Sequence, residues 1–170
     1  MVPLTSPAAL PGEISSVRLV LRLMTPEEAA DMLAGRRRRE WHADYPRRDD
    51  QDAASMLASS EGWGPRHVVR AFDGLVVGSI GFFGPPEDRD GTPEAEVGYG
   101  LVGEARGRGV ASEALRALLS ETDRLGVRIR ASVRPDNAPS IRVLAKCGFT
   151  ELRGASEEGE LVMARPLPPS

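Results

Sequence analysis

The sequence predicts a single α/β domain built on a mixed β-sheet, and three observations predict it. The chain has 170 residues, enough for one well-buried domain and too few for two ordinary ones. Two long helical patterns, "VASEALRALLSETDRL" and "NAPSIRVLAKC", are each preceded and followed by a strand pattern, the order of βαβ units with parallel neighbours. The segments "RHVVRAF" and "LVVGSIGFF" meet at Asp73-Gly74, a pair suited to the positive φ angles of a type I′ hairpin turn, and a hairpin requires antiparallel pairing. Both kinds of neighbour in one chain make the sheet mixed.

Each element follows from its local pattern. Residues 1–13 and 168–170 are rich in proline and small residues and read as flexible ends around a folded domain of 14–167. "SVRLVLRLM" alternates Val17, Leu19, Leu21 and Leu23 against Arg18, Val20 and Arg22, the period of a half-buried strand. "TPEEAADMLAG" predicts a helix, with Thr25 at the N-cap, Pro26 at the first helical position, Glu27 and Glu28 at the positive end of the dipole, and Gly35 as the stop. Arg36 to Arg39 turn through all sides of a helix and form no basic face, so the run reads as a solvated helix end. "DQDAASMLASS" predicts a second helix. "GPPEDRDGTPE" reads as a polar loop leading into the strand "AEVGYGLV". In "VASEALRALLSETDRL", Ala111, Ala114, Leu115, Leu118, Leu119, Thr122 and Leu125 fall on one stripe, and Gly126 ends the helix. "VRIRASV" is the next strand, Asn137 and Gly148 bound the last helix, and "FTEL" and "ELVMARPL" are the final strands.

Composition excludes several classes. The formal net charge of −3 gives no field to hold nucleic acid or an anionic membrane, which also disfavours a nucleic-acid module led by the arginine run. The single cysteine, Cys147, allows neither an intramolecular disulfide nor a cysteine-rich metal site. His42 and His67 lack partners at ligand spacing, so no metal is expected. The N-terminal stretch has no basic region before an unbroken apolar core, and no segment approaches the ~20 apolar residues of a membrane span. A cytoplasmic location is expected.

The chemistry concentrates at Arg106-Gly107-Arg108-Gly109-Val110-Ala111, between a strand and a helix. Such a loop points unpaired backbone N–H groups at one spot on the positive end of a helix dipole, an anion site, and glycines there admit phosphate oxygens closely. A plain tight turn would use the same glycines. A Walker loop needs Lys-Ser/Thr after its last glycine, where this chain has Val110-Ala111. A dinucleotide fingerprint needs a third glycine, here Ser112, and an acid at the end of the next strand, which "VRIRASV" lacks.

"RGRGVASEAL", followed after one strand by "NAPSIRVLAKCGF", strongly resembles the GNAT superfamily of N-acetyltransferases. Arg106, Gly109 and Ala111 fill its loop signature, Gln/Arg-x-x-Gly-x-Gly/Ala, and Asn137, Ser140, Lys146, Gly148 and Phe149 match its second signature. "RLVLRLMTPEEA" and "EVGYGL" are similar to the subgroup that acetylates protein N-terminal amines, including those of ribosomal proteins. The resemblance spans Val17 to Leu167. It implies a mixed, mostly antiparallel sheet of about six to seven strands with a central parallel splayed pair, flanked by about four helices. It also implies acetyl-CoA as co-substrate, no metal, an amine acceptor that is a peptide N-terminus or a small molecule, and a monomer or homodimer.

For the site, the resemblance implies that the coenzyme's pantetheine arm pairs with the backbone of Leu101 and Val102. The pyrophosphate would rest on the amides of Arg106, Gly107, Arg108, Gly109, Val110 and Ala111. Asn137 and Ser140 would reach the coenzyme from the other side of the splay, although Asn137 suits a helix cap equally. The Leu101 N–H would polarise the thioester carbonyl. Glu96, on the strand face shared with Gly98 and Gly100, is the leading general base, acting through water; Glu94 on that face is the alternative, and an exposed strand edge would explain Glu96 as well. Many family members carry a tyrosine four residues before the glycine of the Gly-Phe pair to protonate the thiolate, and this chain has Leu144 there. Ser140 or water would then serve the sulfur. Leu144 also motivates a second reading, a non-catalytic acyl-CoA-binding or regulatory domain. Cys147 reads as inert core and Tyr99, on the opposite strand face from Glu96, as packing. The acceptor is expected beside "REWHADYP", where Trp41 and Tyr45, four apart on a helical face, wall a pocket or pack in the core. Asp44, Asp49 and Asp50 attract a cationic amine or are solvated.

Overall fold

The computed structural model describes residues 9–57 and 62–169. Residues 1–8 and 170, in the expected flexible ends, and 58–61, at and just past the end of the expected second helix, lie outside the described residues. The strands are β1 (Glu13–Ser15), β2 (Leu19–Leu23), β3 (Arg66–Arg70), β4 (Val76–Phe82), β5 (Glu87–Arg89), β6 (Thr92–Leu101), β7 (Arg128–Val133), β8 (Glu151–Ala155) and β9 (Leu161–Arg165). The helices are α1 (Pro26–Ala34), α2 (Arg48–Ser55), α3 (Val110–Arg124) and α4 (Ala138–Lys146). One sheet runs β1-β2-β3-β4-β6-β7-β9-β8, with β5 paired to β6 off this path. Among these strands the single parallel pair is β6 and β7. The two strands beyond the expected number, β1 and β5, are three-residue pieces, β1 starting at the last residue of the expected end and β5 lying inside the expected polar loop.

The two Asp-Gly pairs exchange roles relative to expectation. Between β3 and β4 only Gly74 has a positive φ, and the loop is longer than two residues, closed by Arg70 N–H to Leu75 O at 2.9 Å and Gly74 N–H to Arg70 O at 2.8 Å. The Asp73 carboxylate binds the Arg70 guanidinium and accepts the Leu75 N–H. The type I′ turn belongs instead to Asp90 (φ 55°) and Gly91 (φ 85°), which join β5 to β6 with Arg89 opposite Thr92. Asp-Gly permits a two-residue turn, and the register of the flanking strands decides whether one forms.

The segment 36–47 forms no helix, so the spacing of Trp41 and Tyr45 has no helical meaning. Both rings are buried and meet edge to face, with centroids 5.8 Å apart. The arginine run directly follows the end of α1, with Arg36, Arg37 and Arg39 exposed, and it also makes specific contacts. Arg36 and Arg38 bind Asp31 of α1, and Arg37 donates to the carbonyls of His42 and Tyr45. Val17 is 95% exposed, because the β2 ladder begins only at Leu19. Packing also reaches earlier than residue 14, since Leu10 is buried. Among the described residues no helix is long and apolar enough to cross a membrane.

α1 starts on a capping box: Thr25 accepts the Glu28 N–H, and Glu28 accepts the Thr25 N–H. The buried Glu28 carboxylate also receives two bonds from Arg22, at 2.9 and 3.0 Å, and lies 3.3 Å from His67 Nε2. His67 Nδ1 meets the Tyr45 hydroxyl at 2.8 Å. Burial lowers the His67 pKa to about 4, with Glu28 opposing only in part, so the imidazole is neutral in the folded chain at neutral pH. Burial pushes Glu28 up, but Arg22, Thr25 and His67 bring it down to about 2. Below pH 6.5 the unfolded chain therefore takes up a proton that folded His67 refuses. Stability is full above that value and declines by about 3 kcal/mol as pH falls to about 4, with Glu28 contributing its loss only at lower pH. Thermal midpoints measured across this window should fall with pH in the wild type and flatten in His67→Gln; parallel curves would exclude His67 as the source.

Candidate active site

The site begins with a buried carboxylate. Glu94 on β6 is bound by Arg128 (2.6 Å) and Arg130 (2.9 Å) of β7 and Arg153 (2.8 Å) of β8, with Arg89 of β5 at 3.8 Å. Burial alone would raise its pKa, but hydrogen bonds from Arg128, Arg153 and Arg130 outweigh it and hold the carboxyl below its ordinary value. Next to this clamp β6 and β7 pair in register only from Glu94–Arg128 to Glu96–Arg130. Beyond Glu96 the ladder ends and the two strands part.

The exposed edge of β6 follows from the register on its other side. Val102 N–H donates to Val77 O and Phe83 N–H to Glu96 O, so even-numbered residues of this stretch bond to β4. Tyr99 and Leu101 turn their N–H and C=O groups the other way, into the gap. Leu101 O is taken by Arg106 Nε at 3.1 Å, which leaves the Leu101 N–H and both groups of Tyr99 free of a strand partner. Leu101 thus has the backbone geometry for the expected pairing, and Val102 does not, because its N–H is spent inside the sheet.

At the end of β6, a turn of 3-10 helix (Gly103–Ala105) leads to the glycine loop. Gly107 and Gly109 have φ values of 74° and 77°, left-handed conformations that a side chain resists. Gly109 is the N-cap of α3 and offers no side chain to the first-turn amides, so those N–H groups remain available at the positive end of a 15-residue helix. Glu113 braces this turn by accepting from Ser16 Oγ, Arg18 N–H at 2.8 Å and Arg18 Nε at 2.6 Å, while Arg18 also donates to Arg108 O. Loop and α4 enclose a cleft of about 510 Å³. Leu101, Arg106, Gly107, Gly109, Val110, Ala111, Asn137 and Ser140 line it, together with Lys146, whereas Val102 and Arg108 do not. Asn137 also caps α4, its Oδ1 accepting the Ser140 N–H at 3.2 Å.

The opposite face of β6 is bare. A Cβ on Gly100 would run into the Arg47 guanidinium, and one on Gly98 would lie 2.8 Å from the Phe83 ring. Arg47 is pinned there by Asp50, which accepts from its backbone N–H (2.8 Å), Nε (3.0 Å) and Nη2 (3.0 Å) and also from the Ser79 hydroxyl. Asp50, expected to be solvated or to attract an amine, is fully buried and bound internally. Around Arg47 opens a second cavity of about 370 Å³, with an apolar floor of Ile80, Phe82 and Met56 and carboxylates from Asp49, Asp52 and Glu160. The two cavities share Arg47, Asp49 and Tyr99.

Several expected residues stand elsewhere. Glu96 lines neither cavity, and its carboxylate is 3.2 Å from Arg130 Nε. Glu94 is locked in the arginine clamp. Trp41 and Tyr45 line neither cavity. Cys147 is buried, and burial raises its pKa, which suits inert packing. Tyr99, by contrast, places its hydroxyl 2.9 Å from Ser140 Oγ, a contact across 41 positions that strand alternation does not reveal.

A splayed parallel pair with free backbone groups at its edge, an uncapped helix N-terminus beside it and a second cavity across the strand define an acyl-CoA-dependent acyltransferase. The family model described as "Acetyltransferase (GNAT) domain" matches residues 18–150, and the chain belongs to this family. It is an acetyl-CoA-dependent acetyltransferase. No curated protein matches the sequence significantly. Among solved structures, the chain is similar to a protein assigned to the GnaT family from Bordetella pertussis, at 25% identity over 91% of this chain and 99% of that one, with a TM-score of 0.61. It shares its fold with ribosomal-protein-S5-alanine acetyltransferase from Vibrio fischeri (19% identity, 92% and 99% coverage, TM-score 0.64). RimJ from Mycobacterium smegmatis, solved with a CoA disulfide, is a further match in fold (22% identity, 89% and 86% coverage, TM-score 0.58).

Gly109→Val forces a β-branched residue into a left-handed backbone, a strain of about 1–3 kcal/mol at the loop. Acetyl-CoA affinity measured by calorimetry should fall about tenfold or more. Unchanged affinity in the folded variant would separate the loop from coenzyme binding.

Proposed function

We propose that this acetyltransferase transfers the acetyl group of acetyl-CoA to a primary amine, a protein N-terminus or a small-molecule amine, by direct attack in a ternary complex. The observation that carries the proposal is the junction of the two cavities at Arg47, Asp49 and Tyr99. An acceptor in one cavity faces a thioester in the other across Arg47, Asp49 and Tyr99. Direct attack is further supported by Cys147, whose burial and raised pKa make it unsuited to carry an acetyl group between two half-reactions. The carboxylates of Asp49, Asp52 and Glu160 favour entry of an ammonium group, and the apolar floor suits the carbon chain that bears it. The Vibrio fischeri protein is named for acetylating an alanine of a ribosomal protein, which favours a peptide N-terminus among the acceptors.

The chemistry makes three demands. The amine must lose a proton, the carbonyl must be polarised and the leaving sulfur must be neutralised. The coenzyme fits the cleft through the amides of Arg106, Gly107, Gly109, Val110 and Ala111 and the backbone of Tyr99 and Leu101, with the Leu101 N–H directed at the carbonyl. For the amine's proton, Asp49 is better placed than Glu96, since Asp49 lines both cavities and Glu96 lines neither. Calorimetric titration should detect acetyl-CoA binding and none of NADH or ATP, and thiol release should then be measured against short peptides and small amines. Asp49→Asn should slow turnover about 100-fold without weakening acetyl-CoA, while Glu96→Gln stays near wild type. The reverse ranking would return the base to Glu96, and a protein that binds acetyl-CoA but modifies no amine would overturn the acceptor class.

A further inference from the structure

We infer that Tyr99 and Ser140 form a proton-donating pair for the departing thiolate, with the phenol of β6 supplying the acid that α4 lacks; the inference rests on the acetyltransferase reading above. On α4 the position that carries the family's tyrosine is Leu144, 1% exposed and packed in the core, so no phenol reaches the cleft from there. Tyr99 enters the same space from the strand. Its hydroxyl lies 2.9 Å from Ser140 Oγ, and Ser140 lines the coenzyme cleft beside Asn137. Tyr99 itself lines both cavities, so this hydroxyl pair stands where coenzyme and acceptor meet.

The chemistry of the two hydroxyls sets their order. A phenol is a far stronger acid than an aliphatic alcohol, so Tyr99 donates to Ser140 Oγ and frees the serine proton for a neighbouring acceptor. Burial raises the phenol's pKa, with the Ser140 hydrogen bond opposing, so Tyr99 keeps its proton at neutral pH and has one to give. As the amine nitrogen forms its bond to the acetyl carbon, the carbon–sulfur bond breaks and its electron pair passes to sulfur. Ser140 Oγ gives its proton to sulfur and regains one from the Tyr99 hydroxyl. The proton shed by the amine returns to the Tyr99 oxygen through solvent in the joined cavities, and the exchange closes with one amide and one free thiol.

The test compares wild type with Tyr99→Phe, Ser140→Ala and the double variant. Acetyl-CoA affinity is measured by calorimetry. Single-turnover thiol release from acetyl-CoA is measured with a hexapeptide beginning in alanine and, if that peptide goes unmodified, with water as the acceptor. The pair predicts unchanged affinity in Tyr99→Phe, a rate at saturating acetyl-CoA about 100-fold lower in each single variant and a double variant no slower than the slower single one, because both residues serve one proton. Tyr99→Phe keeps the ring and its packing, so a merely structural role would leave the rate intact. A wild-type rate in Tyr99→Phe, or losses that multiply in the double variant, would overturn the pair while leaving the acetyltransferase reading standing. Failure of the wild type to bind acetyl-CoA would overturn both.

Discussion

Glu94 is the interaction on which the rest of the site depends. One buried carboxylate draws guanidinium groups from β5, β7 and β8 onto β6, and it does so at the only place where the parallel strands are in register. Breaking a buried ion pair from one side typically costs about 3–5 kcal/mol, so this is a strong fixed point for the centre of the sheet. The cleft opens where that grip ends: past Glu96 the strands separate, and the backbone of Tyr99 and Leu101 is left facing a gap. A carboxylate so thoroughly neutralised cannot also be a base, and its structural task explains why the neighbouring glutamate, Glu96, is drawn to Arg130 as well.

Along β6, alternation divides two duties between two faces. Tyr99 and Leu101 look toward α4 and the coenzyme side, while Gly98 and Gly100 leave room for Phe83 and Arg47 on the other. Arg47 crosses the strand only because Asp50 holds it, and Asp50 in turn is held by Ser79 of β4. This chain of contacts fixes a guanidinium between the two cavities without leaving a buried charge unpaired.

The features legible in the sequence are local ones. The glycine loop, the Asn137 cap and the alternation of β6 are each written within about a dozen consecutive residues, and each is recognisable from spacing alone. The Glu94 clamp is not, because Arg128, Arg130 and Arg153 lie 34, 36 and 59 positions away and arginines are too common in this chain for any one to stand out. Tyr99 is hidden for the same reason: alternation gives its face correctly, but only the tertiary fold shows that Ser140 waits on that face. Trp41 and Tyr45 mislead in the opposite direction, since a four-residue spacing looks helical whether or not a helix forms. Asp73-Gly74 and Asp90-Gly91 carry identical turn chemistry, and only strand register tells them apart.

The bare face of β6 has one more consequence. With glycine at 98 and 100, the strand that holds the coenzyme contributes no side chain from those positions to the acceptor's surroundings. The chemistry of that cavity comes instead from α2, from the end of β4 and from Glu160 ahead of β9. Substrate choice and donor use overlap only where Arg47, Asp49 and Tyr99 line both cavities. A lineage, or an engineer, can exchange one acceptor for another at Asp52, Ala53 and Met56, which line the acceptor cavity alone, while the acetyl-donor machinery is inherited untouched.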